Sequence, residues 1–543
     1  MPLHHKPFII LSLIWLFVFL ECMSAQDKNL DAFASLPTTS WPTYNGDFTG
    51  QRHSPLTQIT PRNANQMGLA WAFQTGQSPQ IKSTPILLNG VVYVSTPDNV
   101  WALDARSGRQ LWHYIHPANN GFHIGSRGVA VYKNSVFFTT PDDHVVSLDV
   151  NSGNVRWEKV IADYKRGYWM SVAPLVVGNH LLVATSGDFD NLVGKLVSLD
   201  PEDGSTQWTY SASPAPPGAE GTPTGYTGGE MWMSGTYDPQ LNLVYVGTGN
   251  PTPVLNGAIR PGDNPWTCSI VALNPDTGKL VWAFQPSPHD THDWDAVEIP
   301  VLVDGEFNGV PRKMLMQASR NGYFFVLDRT NGKNLLTAPF VETNWSKGVD
   351  EDGRPIPNPE KEPAQDGRLV APNESGGTNF RSPSFDRKLG LFLVSAQEGY
   401  GIYFFKPEYG SYGWAGADYN VFGRAVIKAI DYKTGKIRWT HEVGGGTPRA
   451  AGILTTDSGV TFTGDTVGNA LALRTSDGAT LWHSRIGLIG NSPITYELDG
   501  KQLVLIAGDS ALYAFALPDG AASSQMGTHT ASSGRSIRHV RGQ

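Results

Sequence analysis

One pattern of apolar and polar positions recurs along the chain. Each copy is a short apolar stretch that ends in Leu-Asp or a close variant, with a glycine four residues after the acidic position and, in most copies, a tryptophan eight residues after it. Short alternating stretches bounded by glycine-containing turns are typical of β-hairpins. The acidic position or its substitute falls at Asp104, Asp149, Asp200, Asn274, Asp328, Asp431 and Arg474, and a last strand at 511–515 completes a count of eight.

The repeated unit predicts how the strands pack. The glycine supplies the positive φ of the turn, and the tryptophan is expected to cover the neighbouring sheet while its indole N–H finds a carbonyl. A four-stranded sheet cannot bury both faces alone, so equal sheets packed around a ring are favoured. Residues 67–71 look like a strand that closes this ring against the C-terminal strand. The pattern therefore predicts an all-β, eight-bladed β-propeller with tryptophan-docking repeats; a sandwich or two smaller propellers fit the even spacing less well.

Three segments lie outside the repeat. Basic residues precede an apolar run of thirteen residues at 8–20, which is too short to span a bilayer and is followed by small residues. We expect a signal peptide over 1–25, cleaved near Ala25, and a periplasmic protein, with an uncleaved anchor or peripheral membrane association as the alternative. The propeller is expected over 26–520 with a polar, proline-rich insertion loop at about 340–373. The tail at 521–543 has a composition typical of disorder.

Charge and cysteine content exclude two classes of function. The net charge of −8 argues against a nucleic-acid partner, because phosphate binding needs clustered basic residues. Removal of the signal leaves Cys268 as the remaining cysteine, so no intramolecular disulfide is expected. No Cys-x-x-Cys-His motif occurs, so covalently attached c-type haem is not expected on this chain either.

The interruptions of the repeat carry a family resemblance. The opening Trp41-Pro-Thr-Tyr-Asn-Gly, followed by Gln51-Arg-His-Ser-Pro-Leu, resembles the start of the pyrroloquinoline-quinone (PQQ) alcohol dehydrogenases, and the likeness runs from about Trp41 to about Pro518. The resemblance implies PQQ and Ca²⁺ as cofactors, a small alcohol as substrate, and an external electron acceptor such as cytochrome c.

The resemblance also implies roles for four residues. Trp232, in Gly-Glu-Met-Trp, would stack beneath the quinone, and the side-chain oxygen of Asn250 would bind Ca²⁺. Asp295, in His-Asp-Trp-Asp, would be the general base that takes the alcohol proton, and also a metal neighbour. Arg320 would lie over the reactive carbonyls and stabilise negative charge there during hydride transfer or its equivalent.

Further positions carry over as cofactor contacts. Arg127 would pair with a cofactor carboxylate, Ser171 and Ser186 would donate hydrogen bonds to it, and Asn379 would contact its far edge. The PQQ family implies these roles, and a tri-acid cofactor needs such donors.

The sequence departs from the family's pattern at two places. The third metal ligand is a glutamate in well-known members, but Phe189 stands there, so we expect Asp188, or alternatively Asp190, to supply the carboxylate. Many members cap the quinone with a disulfide between adjacent cysteines, and Phe122 or His123 is expected to cap it instead.

The choice of metal rests on the residues around the predicted base. Members that use lanthanides carry a second acid two residues after the base, and this chain has Val297 there, which favours Ca²⁺. The alternative is a zinc site in the same segment, with ligands from His289, Asp290, His292 and Asp293.

Two alternative functions remain open at this stage. A PQQ-dependent sugar or polyol dehydrogenase would share the same cofactor residues. A non-catalytic scaffold propeller would keep the tryptophan turns but would need neither the Trp232 platform nor Asn250, Asp295 and Arg320.

Overall fold

The chain folds into β-sheets joined by turns and short 3₁₀ helices. The computed structural model describes residues 33–76, 80–117, 125–187, 192–212, 226–409, 413–444 and 451–519. Those residues form eight sheets of four or five strands and two of two strands. The predicted all-β class is confirmed. The predicted signal peptide and the predicted tail lie outside the described residues.

The first four sheets are antiparallel and follow one another along the chain. Sheet 1 contains Ile86–Leu88, Val91–Thr96, Asn99–Asp104 and Gln110–Ile115. Sheet 2 contains Ala130–Tyr132, Ser135–Thr139, His144–Asp149 and Val155–Val160. Sheet 3 contains Leu175–Val177, His180–Thr185, Lys195–Leu199 and Thr206–Ser211. Sheet 4 contains Thr236–Asp238, Leu243–Gly247, Ile270–Leu273 and Leu280–Phe284.

Sheet 5 is formed by four consecutive strands and sheet 6 by five, whereas sheets 7 and 8 each also include a strand from the N-terminal part of the described chain. Sheet 5 contains Val301–Phe307, Val310–Ala318, Tyr323–Asp328 and Lys333–Pro339. Sheet 6 contains Arg368–Val370, Ser384–Asp386, Leu391–Phe405, Gly416–Asp431 and Ile437–Glu442. Sheet 7 contains His53–Ser54, Leu454–Thr456, Val460–Gly464, Asn469–Arg474 and Thr480–Arg485. Sheet 8 contains Gly68–Gln74, Ile494–Leu498, Lys501–Gly508 and Ala511–Ala516.

The remaining elements are small. The two-stranded sheets pair Thr227–Gly228 with Pro251–Thr252 and Ser346–Val349 with Pro355–Pro357. The 3₁₀ helices are Ala64–Gln66, Tyr164–Arg166, Gly257–Ile259, Pro359–Lys361 and Pro407–Tyr409. None of the helices in the described ranges has the length and apolar character needed to cross a bilayer.

The repeated acid and glycine close the turn between the last two strands of a sheet. In sheet 1, Oδ1 of Asp104 accepts hydrogen bonds from the backbone N–H of Arg106 at 2.9 Å and of Ser107 at 3.1 Å. Gly108 donates to the Asp104 carbonyl at 2.8 Å and has φ +70°, which glycine adopts without a steric penalty. The same pair of side-chain bonds recurs at Asp149, Asn274 and Asp431.

Each repeat tryptophan reaches from its own sheet to the turn of the next. Trp112 of sheet 1 donates from Nε1 to the Val150 carbonyl of sheet 2 at 3.0 Å. A Cβ added at Gly153 would come 2.7 Å from the Trp112 ring, so the glycine also makes room for the indole. Equivalent contacts of 2.7–3.1 Å join Trp71 to Ala105, Trp157 to Pro201, Trp208 to Pro275, Trp282 to Arg329, Trp439 to Thr475 and Trp482 to Met67.

Strands from the two ends of the described chain meet in sheet 8. Gly68–Gln74 pairs antiparallel with Ala511–Ala516, which confirms the strand predicted at 67–71. Just before it, His53–Ser54 adds a parallel strand to Leu454–Thr456 of sheet 7. The buried Arg52 donates to the carbonyls of residues 44, 453 and 493. The N-terminal segment therefore joins sheets 7 and 8.

The segment at 340–373 is more structured than the predicted surface loop. It contains a two-stranded sheet, a 3₁₀ helix and one strand of sheet 6. Trp345 is buried, donates to the Asn321 carbonyl at 2.8 Å and packs against Trp294 with ring centroids 5.0 Å apart. One large apolar side chain therefore anchors a polar segment to the core, which average composition does not reveal.

Candidate active site

The predicted site residues occupy equivalent places in the sheets. Successive strands of each sheet are antiparallel. The residues before the first strand and those after the second strand therefore lie at the same end of the sheet. Arg127, Ser171, Trp232 and Asp295 precede the first strands of sheets 2 to 5, and Ser186, Asn250 and Arg320 follow the second strands of sheets 3 to 5. Asn379 precedes the strand Ser384–Asp386 of sheet 6. The fold therefore gathers these side chains at one end of the sheets.

A cavity of about 260 Å³ lies there and contains most of the predicted site. Its lining residues are Arg127, Trp169, Glu230, Trp232, Asn250, Asp293, Asp295, Arg320, Glu374, Asn379, Phe380 and Trp414. A groove of about 550 Å³ lies between sheets 4 and 5. Its buried cation, Arg329, is already paired with Asp238 at 2.7 Å, so the smaller cavity is the better candidate for chemistry.

Asp295 is held by three donors. Trp232 Nε1 donates to Oδ2 at 2.8 Å, Arg320 Nη1 donates to the same oxygen at 3.0 Å, and the backbone N–H of Asn250 donates to Oδ1 at 2.7 Å. Burial raises the pKa of Asp295, and Arg320 and Trp232 oppose that rise by stabilising the carboxylate. The side chain is thus a positioned carboxylate inside a cavity, which a general base requires.

A capped turn presents Asp295. Oδ2 of Asp290 accepts hydrogen bonds from the backbone N–H of His292 at 3.4 Å, Asp293 at 3.0 Å and Trp294 at 3.2 Å. Trp294 is fully buried and donates from Nε1 to the residue 373 carbonyl at 3.1 Å. The turn is therefore fixed at both its backbone and its aromatic side chain.

Arg320 joins three acids. Besides Asp295, its Nη2 donates to Oδ2 of Asp293 at 2.7 Å and to the carbonyl and Oε1 of Glu374 at 2.8 and 3.3 Å. Burial alone would lower the pKa of Arg320, but Asp293, Asp295 and Glu374 raise it above its usual value. The guanidinium therefore stays charged in the cavity wall.

Oxygen atoms converge around Asn250. Its side-chain oxygen lies 3.0 Å from Oδ1 of Asp295 and 3.0 Å from Oδ1 of Asp293. A Cβ added at Gly249 would come 2.9 Å from Oε2 of Glu230 and 3.1 Å from Oδ1 of Asp295, so Glu230 lies at the same place. Turning the Asn250 amide would let its nitrogen donate to both aspartates, and a cation among the oxygens would relieve the same repulsion. Carboxylate and amide oxygens are the ligands that Ca²⁺ prefers, so the set fits that ion.

Arg127 is a buried cation that no described carboxylate pairs with. Its Nε and Nη1 have no hydrogen-bond partner among the residues that the structure describes. The guanidinium lies 4.1 Å from the Phe380 ring centroid and 5.1 Å from that of Trp232. Burial lowers the pKa of Arg127 to about 10, so it remains charged at neutral pH. A buried, unpaired guanidinium beside an aromatic surface fits a planar anionic cofactor.

The predicted serines, Ser171 and Ser186, belong to the segments next to Arg127. Arg127 N donates to the Ser171 carbonyl at 2.9 Å, and Trp169 and Ser186 exchange backbone hydrogen bonds of 3.2 and 3.0 Å. In the described part of the chain, the hydroxyls of Ser171 and Ser186 and the indole N–H of Trp169 are buried without a partner. Asn379 lines the cavity but donates to the residue 375 carbonyl at 3.1 Å. The unpaired donors therefore fit the carboxylates of PQQ.

Some predictions lie beyond these observations. Asp188, Asp190, Phe122 and His123 fall outside the described residues, so the third metal ligand and the cap stay predictions. Val297 is buried in an apolar cluster and adds no acid to the cavity.

The zinc alternative is wrong. His292 Nε2 lies 3.0 Å from the residue 361 carbonyl, and His289 Nδ1 lies 2.7 Å from the residue 262 carbonyl. Asp290 instead caps the turn, and Asp293 binds Arg320. Among the described residues, these four side chains do not form a group whose ligand atoms could hold one metal ion.

Several residues of the cavity wall were not predicted from the sequence as parts of the site. Glu230 lies two positions before Trp232 and Asp293 two positions before Asp295, so each is next to a predicted residue. Glu374 and Trp414 come from connections between strands of sheet 6 and carry no local motif.

Comparisons with known proteins agree with this geometry. A family model described as "Glucose/ethanol/alcohol dehydrogenase, beta-propeller domain" matches residues 41–357, and one described as "Outer membrane protein assembly factor BamB" matches 423–537. The quinoprotein alcohol dehydrogenase PedH of Pseudomonas putida is 35% identical over 84% of this chain and 84% of its own. The 1-butanol dehydrogenase (cytochrome c) of Thauera butanivorans is 33% identical over 86% of this chain and 74% of its own.

Two solved structures extend the likeness to the fold. The quinohemoprotein alcohol dehydrogenase of Comamonas testosteroni has a TM-score of 0.83 at 28% identity, covering 95% of this chain and 84% of its own. A europium-containing methanol dehydrogenase has a TM-score of 0.81 at 28% identity, covering 90% of this chain and 100% of its own. Because the first family model spans more than half of the chain and these relatives match most of it, the chain belongs to the family of PQQ-dependent alcohol dehydrogenases.

Proposed function

We propose that this protein oxidises a small alcohol to an aldehyde or ketone with PQQ bound in the cavity, and passes the electrons to an external acceptor such as cytochrome c. The observation that carries the proposal is the buried Arg127 guanidinium, whose Nε and Nη1 have no hydrogen-bond partner in the described ranges. It lies beside the Trp232 ring, and Trp232 in turn binds the carboxylate of Asp295. An anionic cofactor on that ring would be next to a positioned base.

The fold supports the proposal through its symmetry. We propose that the eight larger sheets are the eight blades of one closed ring, and that the tryptophan contacts are its docking repeats. The pairing of Gly68–Gln74 with Ala511–Ala516 supports ring closure, since it joins distant strands within one sheet. A ring gathers groups from several sheets at its axis, which a single hairpin cannot do.

The chain's own groups would hold PQQ as follows. Arg127 would pair with a carboxylate, Ser171 and Ser186 would donate to the cofactor, and Trp232 would lie beneath it. Asn379 would contact the far edge. When bound, PQQ supplies the two-electron acceptor of the reaction.

Ca²⁺ is the metal that the oxygen set favours. Asn250 and Asp295 would bind it, with Asp188 or Asp190 as the predicted third ligand. Asp293 is an additional carboxylate at that place, because its Oδ1 lies 3.0 Å from the Asn250 oxygen. The ion would supply Lewis-acid polarisation.

The protein's chemical part is the removal of a proton. Asp295 takes the hydroxyl proton of the alcohol on its carboxylate, held by the Trp232 and Asn250 donors. Arg320 provides positive charge at the same wall and favours the ionised form of Asp295. Phe380 and Trp414 contribute apolar surface that limits water at the site.

Two other functions make different demands on the site. A sugar or polyol dehydrogenase would use the same cofactor residues and differ in the wall around Glu374 and Trp414. Within the part of the chain that the structure describes, Arg127 and the hydroxyls of Ser171 and Ser186 are buried with unpartnered polar atoms, which costs stability and would serve no purpose in a scaffold propeller. The orphaned donors therefore favour an enzyme. Export to the periplasm and peripheral membrane association stay predictions.

The test is reconstitution of the purified chain. PQQ is added with Ca²⁺, or with a lanthanide ion in a parallel sample, and dye reduction is followed with short alcohols, sugars and polyols. We expect PQQ-dependent turnover with alcohols and a requirement for the metal. PQQ binding with turnover only on sugars would support a sugar dehydrogenase instead. Absence of PQQ binding would support a non-catalytic scaffold propeller.

A further inference from the structure

A second cluster of ionisable side chains lies outside the cavity, where sheet 1 meets sheet 2. It consists of His116, just after the last strand of sheet 1, and Asp142, His144 and Glu158 of sheet 2. One ligand atom from each of His116, His144 and Glu158 lies within 4.8 Å of the others. None of these residues lines the cavity, so the cluster is a separate site.

The register of sheet 2 explains why the cluster forms. His144 begins the third strand, and its cross-strand partner is Val160 on the fourth, two residues beyond Glu158. Residues two apart on a strand share a face, so Glu158 reaches His144 diagonally. His116 ends the neighbouring sheet at the same side, and its ring centroid lies 5.3 Å from that of His144.

Both imidazoles face carboxylates. His116 Nε2 lies 3.2 Å from Oδ1 and 3.4 Å from Oδ2 of Asp142. His144 turns Nδ1 to Glu158, and its Nε2 lies 3.9 Å from Oδ2 of Asp142. Thr140 Oγ1 also donates to Oδ1 of Asp142 at 2.6 Å. Each neutral imidazole has one nitrogen without a proton, and that nitrogen can bind a metal ion together with the Glu158 carboxylate.

Because the cluster is buried, it lowers the stability of the folded protein unless a cation binds to it. His116 is 3% exposed and Asp142 1%, and His116 Nδ1 is buried without a hydrogen-bond partner in the described ranges. The next residue, Asp143, is fully buried, and both of its carboxylate oxygens also lack a partner there. His144 and Glu158 are more open, with side chains 19% and 38% exposed, which gives an ion a path inward. Buried acids and imidazoles are stabilised by coordinating a metal.

We propose that His116, His144 and Glu158 bind a divalent transition-metal ion of the zinc class, with Asp142 holding the His116 ring or completing the ligand set. Imidazole and carboxylate ligands suit Zn²⁺, whereas Ca²⁺ takes oxygen ligands. Bonds of about 2.0–2.1 Å require ligand atoms about 3.4 Å apart in a tetrahedral site. The present spread of up to 4.8 Å therefore closes by rotation of the exposed Glu158 and half-buried His144 side chains.

The consequence is structural. The ion would join the end of sheet 1 to the outer strands of sheet 2, which Trp112 already connects through the Val150 carbonyl. Metal binding to the folded state alone raises stability in proportion to the logarithm of ion concentration over Kd. The site would thus tighten one boundary between sheets without touching substrate.

The test uses the full chain without a histidine tag, stripped with chelator and kept in excess Ca²⁺ so that the acidic cavity does not take up Zn²⁺. Zn²⁺ is titrated against a chromophoric chelator, and thermal unfolding is followed with and without Zn²⁺. The variants are His144→Gln and Glu158→Gln. The control is His483→Gln, because His483 is exposed on the outer strand of sheet 7.

We expect the wild type and His483→Gln to bind one Zn²⁺ and to unfold at a higher temperature with it. Each of the other variants should bind at least about tenfold more weakly, since even outer partners of metal ligands contribute that much. Glu158→Gln changes an exposed position on the outer strand of sheet 2, so it keeps the test valid if His144→Gln fails to fold. Equal Zn²⁺ affinity in wild type and Glu158→Gln, or no Zn²⁺ binding by the wild type in excess Ca²⁺, would overturn the proposal.

Discussion

The indole N–H of Trp232 donates to Oδ2 of Asp295 at 2.8 Å. One side chain therefore provides both the aromatic floor of the cavity and a donor to the proposed base. The distance between floor and base is fixed by a single hydrogen bond, so a cofactor stacked on the ring would sit in a set relation to the carboxylate.

Replacing Trp232 by Phe separates these two roles. The variant keeps an aromatic surface and removes the N–H, so PQQ affinity should change by a few fold at most. A hydrogen bond to a charged group contributes about 1.5–3 kcal/mol, so kcat should fall by about tenfold or more. PQQ titration and steady-state turnover measure the two effects; Trp232→Ala, which also loses the surface, should weaken PQQ binding. A Phe variant with full kcat would show that the bond does not position the base.

Arg127 should contribute to PQQ binding and should not contribute to the stability of the protein without PQQ. Arg127→Met removes a buried charge that has no anionic partner among the described residues, so the free energy of unfolding without PQQ should stay the same or rise. PQQ affinity should fall by about tenfold or more, because a charge-assisted pair is lost. Chemical denaturation and PQQ titration check the two parts. Lower stability of the cofactor-free variant would mean that Arg127 is structural.

Asp290 should act through the turn that carries Asp295. In Asp290→Ala the backbone N–H groups of residues 292–294 lose their acceptor, which costs about 1–3 kcal/mol for each buried donor left unpaired. We expect kcat to fall with little change in PQQ affinity. Asp290→Asn keeps an acceptor oxygen and should restore most of kcat, and failure of that rescue would argue against a positioning role.

Asp47 should make stability depend on pH. Burial raises its pKa to about 6, above the ordinary value near 4, although Thr49 hydrogen bonds lower it in part. Between these values the unfolded chain has released the proton and the folded chain has not, so stability falls as pH rises from 4 to 6. The loss is about 3 kcal/mol for a shift of about two pH units.

The variant Asp47→Asn removes this titration. Compared with wild type, its free energy of unfolding should fall less between pH 4 and pH 7, so the difference between the two proteins should grow in favour of Asn. Chemical denaturation at both pH values measures it. A difference that does not change with pH would show that Asp47 ionises normally in the folded protein.

Local periodicity was enough to predict the strands and their turns. The spacing from Asp104 to Gly108 to Trp112 encodes a turn, a positive φ and an indole that reaches the next sheet, all within nine residues. Contacts of that kind depend on nearby sequence. The amount of regular structure in segment 340–373 was underestimated. The segment is held to the core by one residue, Trp345, which contacts Trp294 about fifty residues earlier in the chain.

The site was predictable where a motif marks it. Asp295 and Arg320 follow recognisable segments, and they meet at 3.0 Å. Glu374 reaches the same guanidinium from a connection with no repeat and no motif, so it could be found only after folding. The His144–Glu158 cluster escaped for a similar reason, since its members alternate with ordinary strand residues and meet His116 only across two sheets.

The central claim is that Asp295 removes the alcohol proton beside bound PQQ. The most direct test is a single turnover without external acceptor, in which the absorbance of protein-bound PQQ is followed after ethanol is mixed with the metal-loaded protein. Wild type should reduce the bound quinone, while Asp295→Asn, still holding PQQ, should do so at least about a hundredfold more slowly, as loss of a general base implies. Equal rates of quinone reduction in the two proteins would contradict the account.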